Sequence, residues 1–116
     1  MSRTPAHNSA VVLHVQGYLD AHTTPQFEEQ LQAVRDGGVL RIVIDCEHLD
    51  YISSAGLGIL VDTYRELLPK HGEIKVAAMT PAIRDIFDIL GFSKIIHVYP
   101  SVAAALDAFD SPEENA

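Results

Sequence analysis

Short β-branched runs alternate along the chain with stretches whose apolar residues recur every three or four positions. Ala10 to Gln16, AVVLHVQ, reads as a strand ended at Gly17, and GYLDA after it as a second short strand or a turn. TTPQFEEQLQAVRDGG predicts a helix with Thr24 as cap, Pro25 in the first helical position, two Glu in the first turns and Gly37-Gly38 as stop. Phe27, Leu31 and Val34 mark its apolar face. VLRIVID predicts a strand ending at Asp45, followed by a loop, EHLDYISS. From Ser54 to about Leu68 the pattern turns helical, with Leu57, Leu60, Val61, Tyr64, Leu67 and Leu68 on one stripe and Pro69 and Gly72 as its close. EIKVAAM predicts a strand. Thr80-Pro81 then opens a helix with the stripe Ile83, Ile86, Phe87 and Leu90, ended by Gly91. KIIHVY predicts the last strand, and SVAAALDAF a final helix capped by Ser101.

Strands followed by αβαβαβα define an α/β class: a mixed, mostly parallel sheet of four to five strands with about four helices. One domain over 10–109 is expected, between a flexible N-terminus at 1–9 and a flexible acidic tail at 110–116. Val43, Leu57, Leu60, Val61, Val76, Ile83 and Phe87 should be core. In such sheets functional loops follow the carboxyl ends of strands, and EHLDYISS is one of them.

A chain of 116 residues buries roughly two-thirds of its unfolded surface, enough for a core. The 8 Lys and Arg stand against 16 Asp and Glu, a net charge of −8, which argues against a nucleic-acid partner. No apolar run approaches the roughly 20 residues of a membrane span, and MSRTPAHNSA has no signal-peptide core, so a cytoplasmic protein without a membrane partner is expected. The single Cys46 fits a reducing compartment and, after an apolar strand, a buried inert thiol.

The chemistry available is sparse. His7, His14, His22, His48, His71 and His97 show no ligand spacing, so no metal and no cofactor is expected. GLG lacks the Lys-Ser/Thr of a phosphate-binding loop, and Ser-Ser-Ala-Gly is not the Gly-x-Ser-x-Gly of a hydrolase elbow. Asp20, Asp45 and Asp50 could converge near the loop and hold a cation weakly. There remain the paired hydroxyls Ser53 and Ser54 before Gly56-Leu57-Gly58. Either one suits a helix cap, and a helix start also tolerates phosphate through its free N–H groups and dipole.

The segments GYLDAHTTPQFEEQL, RIVIDCEHLDYISSAGLGIL and PAIRDIFDILGFSKIIHVYPSVAAALDAF, in this order and spacing, resemble the bacterial anti-sigma factor antagonists built on the STAS domain. The resemblance runs from about Ala10 to Phe109. It implies a non-enzymatic binding protein, a monomer or weak dimer. Such a protein docks on an anti-sigma factor that is also a serine kinase and so frees the sigma factor. Phosphorylation of one serine blocks it, and a serine phosphatase restores it. Aligned on Gly56-Leu57-Gly58, the acceptor matches Ser54. Ser53 stands where well-known members carry Asp, so Ser53 is the alternative acceptor, and Ala55 where many carry Ser or Thr. Asp20 matches the acid after Gly-x-Leu, and Asp45 the polar residue ending the central strand. Asp20, Asp45, Ser53, Ser54, Gly56 and Leu57 are therefore the implied partner-binding set. A STAS scaffold subunit of a signalling or transport assembly that never switches is the competing reading. No fused transporter or sensor segment is read in the chain to favour it. A hydrolase using Ser54 as nucleophile comes last, for want of a base.

Overall fold

A computed structural model describes residues 1–110. The strands are β1 (Ser2–Pro5), β2 (Ala10–Leu19), β3 (Arg41–Ile52), β4 (Glu73–Ala77) and β5 (Val98–Tyr99). The helices are α1 (Thr24–Asp36), α2 (Ser54–Leu67), α3 (Pro81–Ile89) and α4 (Val102–Phe109). The sheet order is β1-β2-β3-β4-β5, parallel throughout except for β1, which runs antiparallel to β2. This is the expected mixed, mostly parallel α/β domain.

Period-2 alternation along the strands feeds two cores. Leu13, Val15, Ile42, Ile44, Ile74 and Val76 point to one face, where Phe27 and Leu31 of α1, Leu57 and Leu60 of α2 and Ile83 and Phe87 of α3 cover them. Their neighbours Val12, Val43 and Ala77 point the other way, under Ala105 and Phe109 of α4. All seven expected core residues are buried. Lys75, between Ile74 and Val76, faces the α4 side with no exposure at all. Its Nζ donates to Glu73 Oε2 at 3.0 Å and Tyr99 Oη at 3.1 Å and lies 5.0 Å from the ring centres of Tyr99 and Phe109. Pairing with hydrogen bonds is the condition on which a charge is tolerated at that depth.

Five expectations change. The N-terminus is not a free end over its first nine residues: Ser2–Pro5 pairs with Val11–His14 as the edge strand. All four side chains are exposed, so no apolar alternation signals the strand. Pro5 suits an edge. Asn8 and Ser9, with φ of 57° and 63°, make the turn that brings the segment back along β2.

The second change is at EHLDYISS. All of it but the two serines continues β3 to Ile52, and β2 runs on through GYL to Leu19. Two register shifts hide this from the pattern. Gly17 pairs with Leu49 and Tyr18 with Tyr51, so Asp50 is an extra residue. The bulge lets Leu49 and Ile52, three apart, both enter the core.

Third, β5 is two residues long, because Ile96 enters the core from the segment after α3 rather than from a strand, while Ile95 stays 39% exposed. Fourth, Thr24 is not the α1 cap: it is the first helical residue and is buried, and Thr23 holds the cap position. Fifth, Ile86, Leu90 and Leu68, placed on apolar stripes by the sequence, are 37%, 55% and 49% exposed. The acidic tail expected at 110–116 lies, beyond Asp110, outside the described residues.

Leu60 is 2% exposed at the centre of the larger core. Leu60→Ala should cost about 2–5 kcal/mol in a denaturant melt, from lost burial plus the cavity left behind.

Candidate functional site

The two central strands end together. Leu19 pairs with Ile52, and Ser53 N donates to Leu19 O at 2.8 Å, so Asp20 and Ser53 leave the sheet side by side. Ser53 keeps an extended backbone, φ −81° and ψ 165°, and its Oγ accepts from Gly56 N at 3.2 Å. It is the cap of α2. Ser54 is the first residue of the helix, and its side chain is exposed.

Gly56 and Leu57 hold this geometry from beneath. A Cβ on Gly56 would stand 3.1 Å from Ile52 Cγ1 and 3.6 Å from Leu19 Cβ, so the absent side chain lets the first turn of α2 settle on the paired strand ends. Leu57 is 2% exposed. The two residues implied as partner contacts are thus buried, and their part is to fix where Ser54 stands.

Asp20 organises the neighbouring turn. One carboxylate oxygen accepts from His22 N at 2.9 Å and Thr23 N at 3.3 Å, and Thr23 Oγ1 accepts from Asp20 N and donates to Tyr18 O at 2.5 Å. The N–H of His22, with that of Thr23 in support, holds the Asp20 carboxyl below its ordinary value against the opposing effect of desolvation.

Asp45 is elsewhere. It is 8% exposed, its Oδ2 lies 2.7 Å from His14 Nδ1, and His14 Nε2 lies 2.9 Å from Thr4 Oγ1. Ile52 lies seven positions farther along the strand, about 20 Å at the usual rise. Asp20, Asp45 and Asp50, which the sequence allowed to converge but which more often cap helices or face water, do not come together, because the loop that could have gathered them is strand. Among the described residues no group of three or more His, Cys, Asp or Glu could hold a metal ion. Cys46, beside Asp45, is buried, and burial, with the Asp45 charge adding, pushes its thiol up to about 12.

The sequence reading missed the feature next to Ser53. Tyr18 and Tyr51, one pair back from Leu19 and Ile52, lie side by side on the outer face of the strands, their rings tilted by 44° with centres 6.2 Å apart. They are 60% and 44% exposed. The signal was one aromatic in each of GYLD and LDYI, visible as a pair only once the register is known.

Fold and site together define a sheet-and-helix domain that presents a capped helix start and an exposed serine at the end of its two central strands. The family model of the STAS domain matches residues 2–105, and the chain belongs to that family. BtrV of Bordetella bronchiseptica, assigned as an anti-sigma factor antagonist, is 38% identical over 95 residues, which cover 82% of each chain. An anti-sigma factor antagonist from Mycobacterium paratuberculosis superposes with a TM-score of 0.84 at 31% identity, over 95% of this chain and 94% of that one. The anti-sigma factor antagonist SpoIIAA shares the fold at 23% identity. Its unphosphorylated form superposes with a TM-score of 0.74 over 95% of this chain and 97% of its own, and its phosphorylated form with 0.71 over 91% and 96%. Among the described residues no helix is long and apolar enough to cross a membrane.

Two outcomes follow from this local geometry. Ser53→Ala should lower stability by about 1 kcal/mol through loss of the cap, whereas Ser54→Ala should change a melt by less than about 0.5 kcal/mol. Asp20 binds its proton less readily folded than unfolded. Its stabilisation is therefore complete above the unfolded carboxyl's range, near about 4, and is lost as pH falls through the lower folded value. Asp20→Asn keeps the acceptor oxygen but not the charge. It should flatten that acid limb in urea melts taken between about pH 6 and 3.

Proposed function

We propose that the chain is an anti-sigma factor antagonist switched off by phosphorylation at Ser54. Its unmodified form docks on an anti-sigma factor that is also a serine kinase, which frees the sigma factor. Transfer of the ATP γ-phosphoryl group to Ser54 Oγ, with ADP and the hydroxyl proton leaving, ends the docking. A serine phosphatase reverses it. The names of BtrV and of the mycobacterial relative support the partner class.

One observation carries the choice of residue. Capping falls to Ser53, whose Oγ accepts from Gly56 N, and this leaves the Ser54 hydroxyl exposed at the first helical position. A phosphate on Ser54 adds about 1.5–2 negative charges beside free N–H groups and the positive end of the helix dipole, so the fold has reason to tolerate it. The docked partner would have to desolvate that charge, and a partner surface shaped to Oγ–H has no room for it.

The reading is of a binding protein rather than an enzyme. The His14–Asp45 pair, which would suit a serine nucleophile if it stood beside one, is about 20 Å back along β3.

The test is intact mass after incubation with the kinase partner and ATP, then titration of each form. Wild type and Ser53→Ala should each gain one phosphate and Ser54→Ala none. Unmodified wild type and Ser54→Ala should bind tightly. Phosphorylated protein and Ser54→Asp should bind at least about tenfold more weakly. Phosphate on Ser53 instead would move the acceptor by one residue. Equal affinity of the two forms would leave the non-switching scaffold.

A further inference from the structure

β4 stops at Ala77, opposite Asp45, and β1 reaches only to His14. Beyond those points β2 and β3 continue as a two-stranded ribbon, Gln16–Leu19 against His48–Ile52. Its inner face, with Leu19, Leu49 and Ile52, is buried in the larger core. Its outer face is not covered by α4, whose cluster takes its strand residues from farther down, at Ala10, Val12, Val43 and Ala77. Tyr18 and Tyr51 lie on that outer face, paired with each other and open to water.

We infer that the Tyr18–Tyr51 pair is the apolar anchor by which the kinase partner seats itself beside Ser54. The inference rests on the phospho-switched reading above and adds to it the surface that holds the partner. Continuity is the first argument. Tyr18 and Tyr51 each lie two residues before Asp20 and Ser53, and the Leu19–Ile52 pair joins them, so a partner reaching Ser54 stands over the end of this ribbon. Charge is the second. Segments 16–24 and 46–54 contain no Lys or Arg, and they carry the exposed Glu47 and Asp50 and the half-buried Asp20. The complementary surface is an apolar slot rimmed by Lys or Arg, and a phosphoryl-transfer site supplies cations of this kind. The side chain itself is the third. Tyrosine offers a large ring with few torsions to freeze and a hydroxyl that stays wet, which is why it is enriched among residues that dominate binding.

The experiment uses the full chain and, in recombinant form, the anti-sigma factor kinase of the proposed switch. Tyr18→Ala and Tyr51→Ala should each weaken binding at least about tenfold and raise KM for Ser54 phosphorylation with little change in kcat. The Phe variants should bind like wild type, because the ring and not the hydroxyl is the anchor. Asp50→Lys should slow association and reduce its salt dependence. In hydroxyl-radical footprinting of wild type, Tyr18 and Tyr51 should be protected in the complex and Tyr64 unchanged. Wild-type binding and phosphorylation by both Ala variants would overturn the anchor and leave the Ser54 switch standing. Loss of binding together with loss of native circular dichroism would also overturn it, as a folding role. So would a concentration-dependent dimer of the chain that both Ala variants abolish while kinase affinity holds. A wild-type chain that neither binds nor is phosphorylated would overturn anchor and switch together.

Discussion

The site depends on one backbone pairing: β2 and β3 stay paired, through two register shifts, past the point where the sheet around them has ended. Leu19 opposite Ile52, and the Ser53 N–Leu19 O bond after them, bring Asp20 and Ser53 out of the sheet together. The inner side chains of this extension are core residues, so the ribbon is held by burial as well as by hydrogen bonds. Gly56 then lets α2 start in contact with it. A helix that began on a free loop would present the same serine at no fixed place. Here its position is tied to a strand pair whose inner side chains, Leu19, Leu49 and Ile52, are core.

On the phospho-switched reading, the two adjacent hydroxyls divide two tasks that one residue performs badly. A cap oxygen must accept a hydrogen bond from inside the helix turn, and a modified oxygen must face outward to reach an active site. Ser53 does the first, with extended backbone and Oγ on Gly56 N. One step on, Ser54 has helical backbone, and its side chain clears the turn. Where relatives of the resembled type carry Asp at the cap position, the present Ser removes a charge that would stand beside any phosphate on Ser54. Of the acids nearby, Asp20 keeps its carboxylate occupied by the N–H groups of His22 and Thr23.

Much of this was legible in the sequence, for identifiable reasons. The helices announced themselves through caps and apolar stripes, and Thr80-Pro81 and Ser101 open α3 and α4 as read. The seven core residues were legible because period and burial agree in regular elements. What failed was irregular. The Asp50 bulge broke the alternation of β3, so strand looked like loop, and with that error Asp45 was placed near a serine about 20 Å away. Ser2–Pro5 has no apolar face, because an edge strand can be held by backbone bonds and by one side-chain contact, Thr4 to His14. Which of Ser53 and Ser54 caps α2 turned on a single φ/ψ region, which no composition reveals. The tyrosine pair was out of reach for the same reason as the bulge: it exists only in the true register.

The polar contacts between strands lie away from the helix start. Thr4, His14 and Asp45 cross three strands in one chain of contacts, and Lys75 with Glu73, Tyr99 and Phe109 ties β4 and β5 to α4. Partly satisfied buried groups are costly, so each set tolerates only one register of its strands. A sheet fixed in this way passes little of a charge added at Ser54 into the rest of the fold. On the phospho-switched reading that rigidity is what function requires. A domain that neither unfolds nor rearranges when modified leaves the phosphate to act where it stands, on whatever surface must close over the end of the β2–β3 ribbon. The discrimination then belongs to the partner, and the domain's contribution is to hold one hydroxyl, one acid and two aromatic rings in a constant arrangement for it to read.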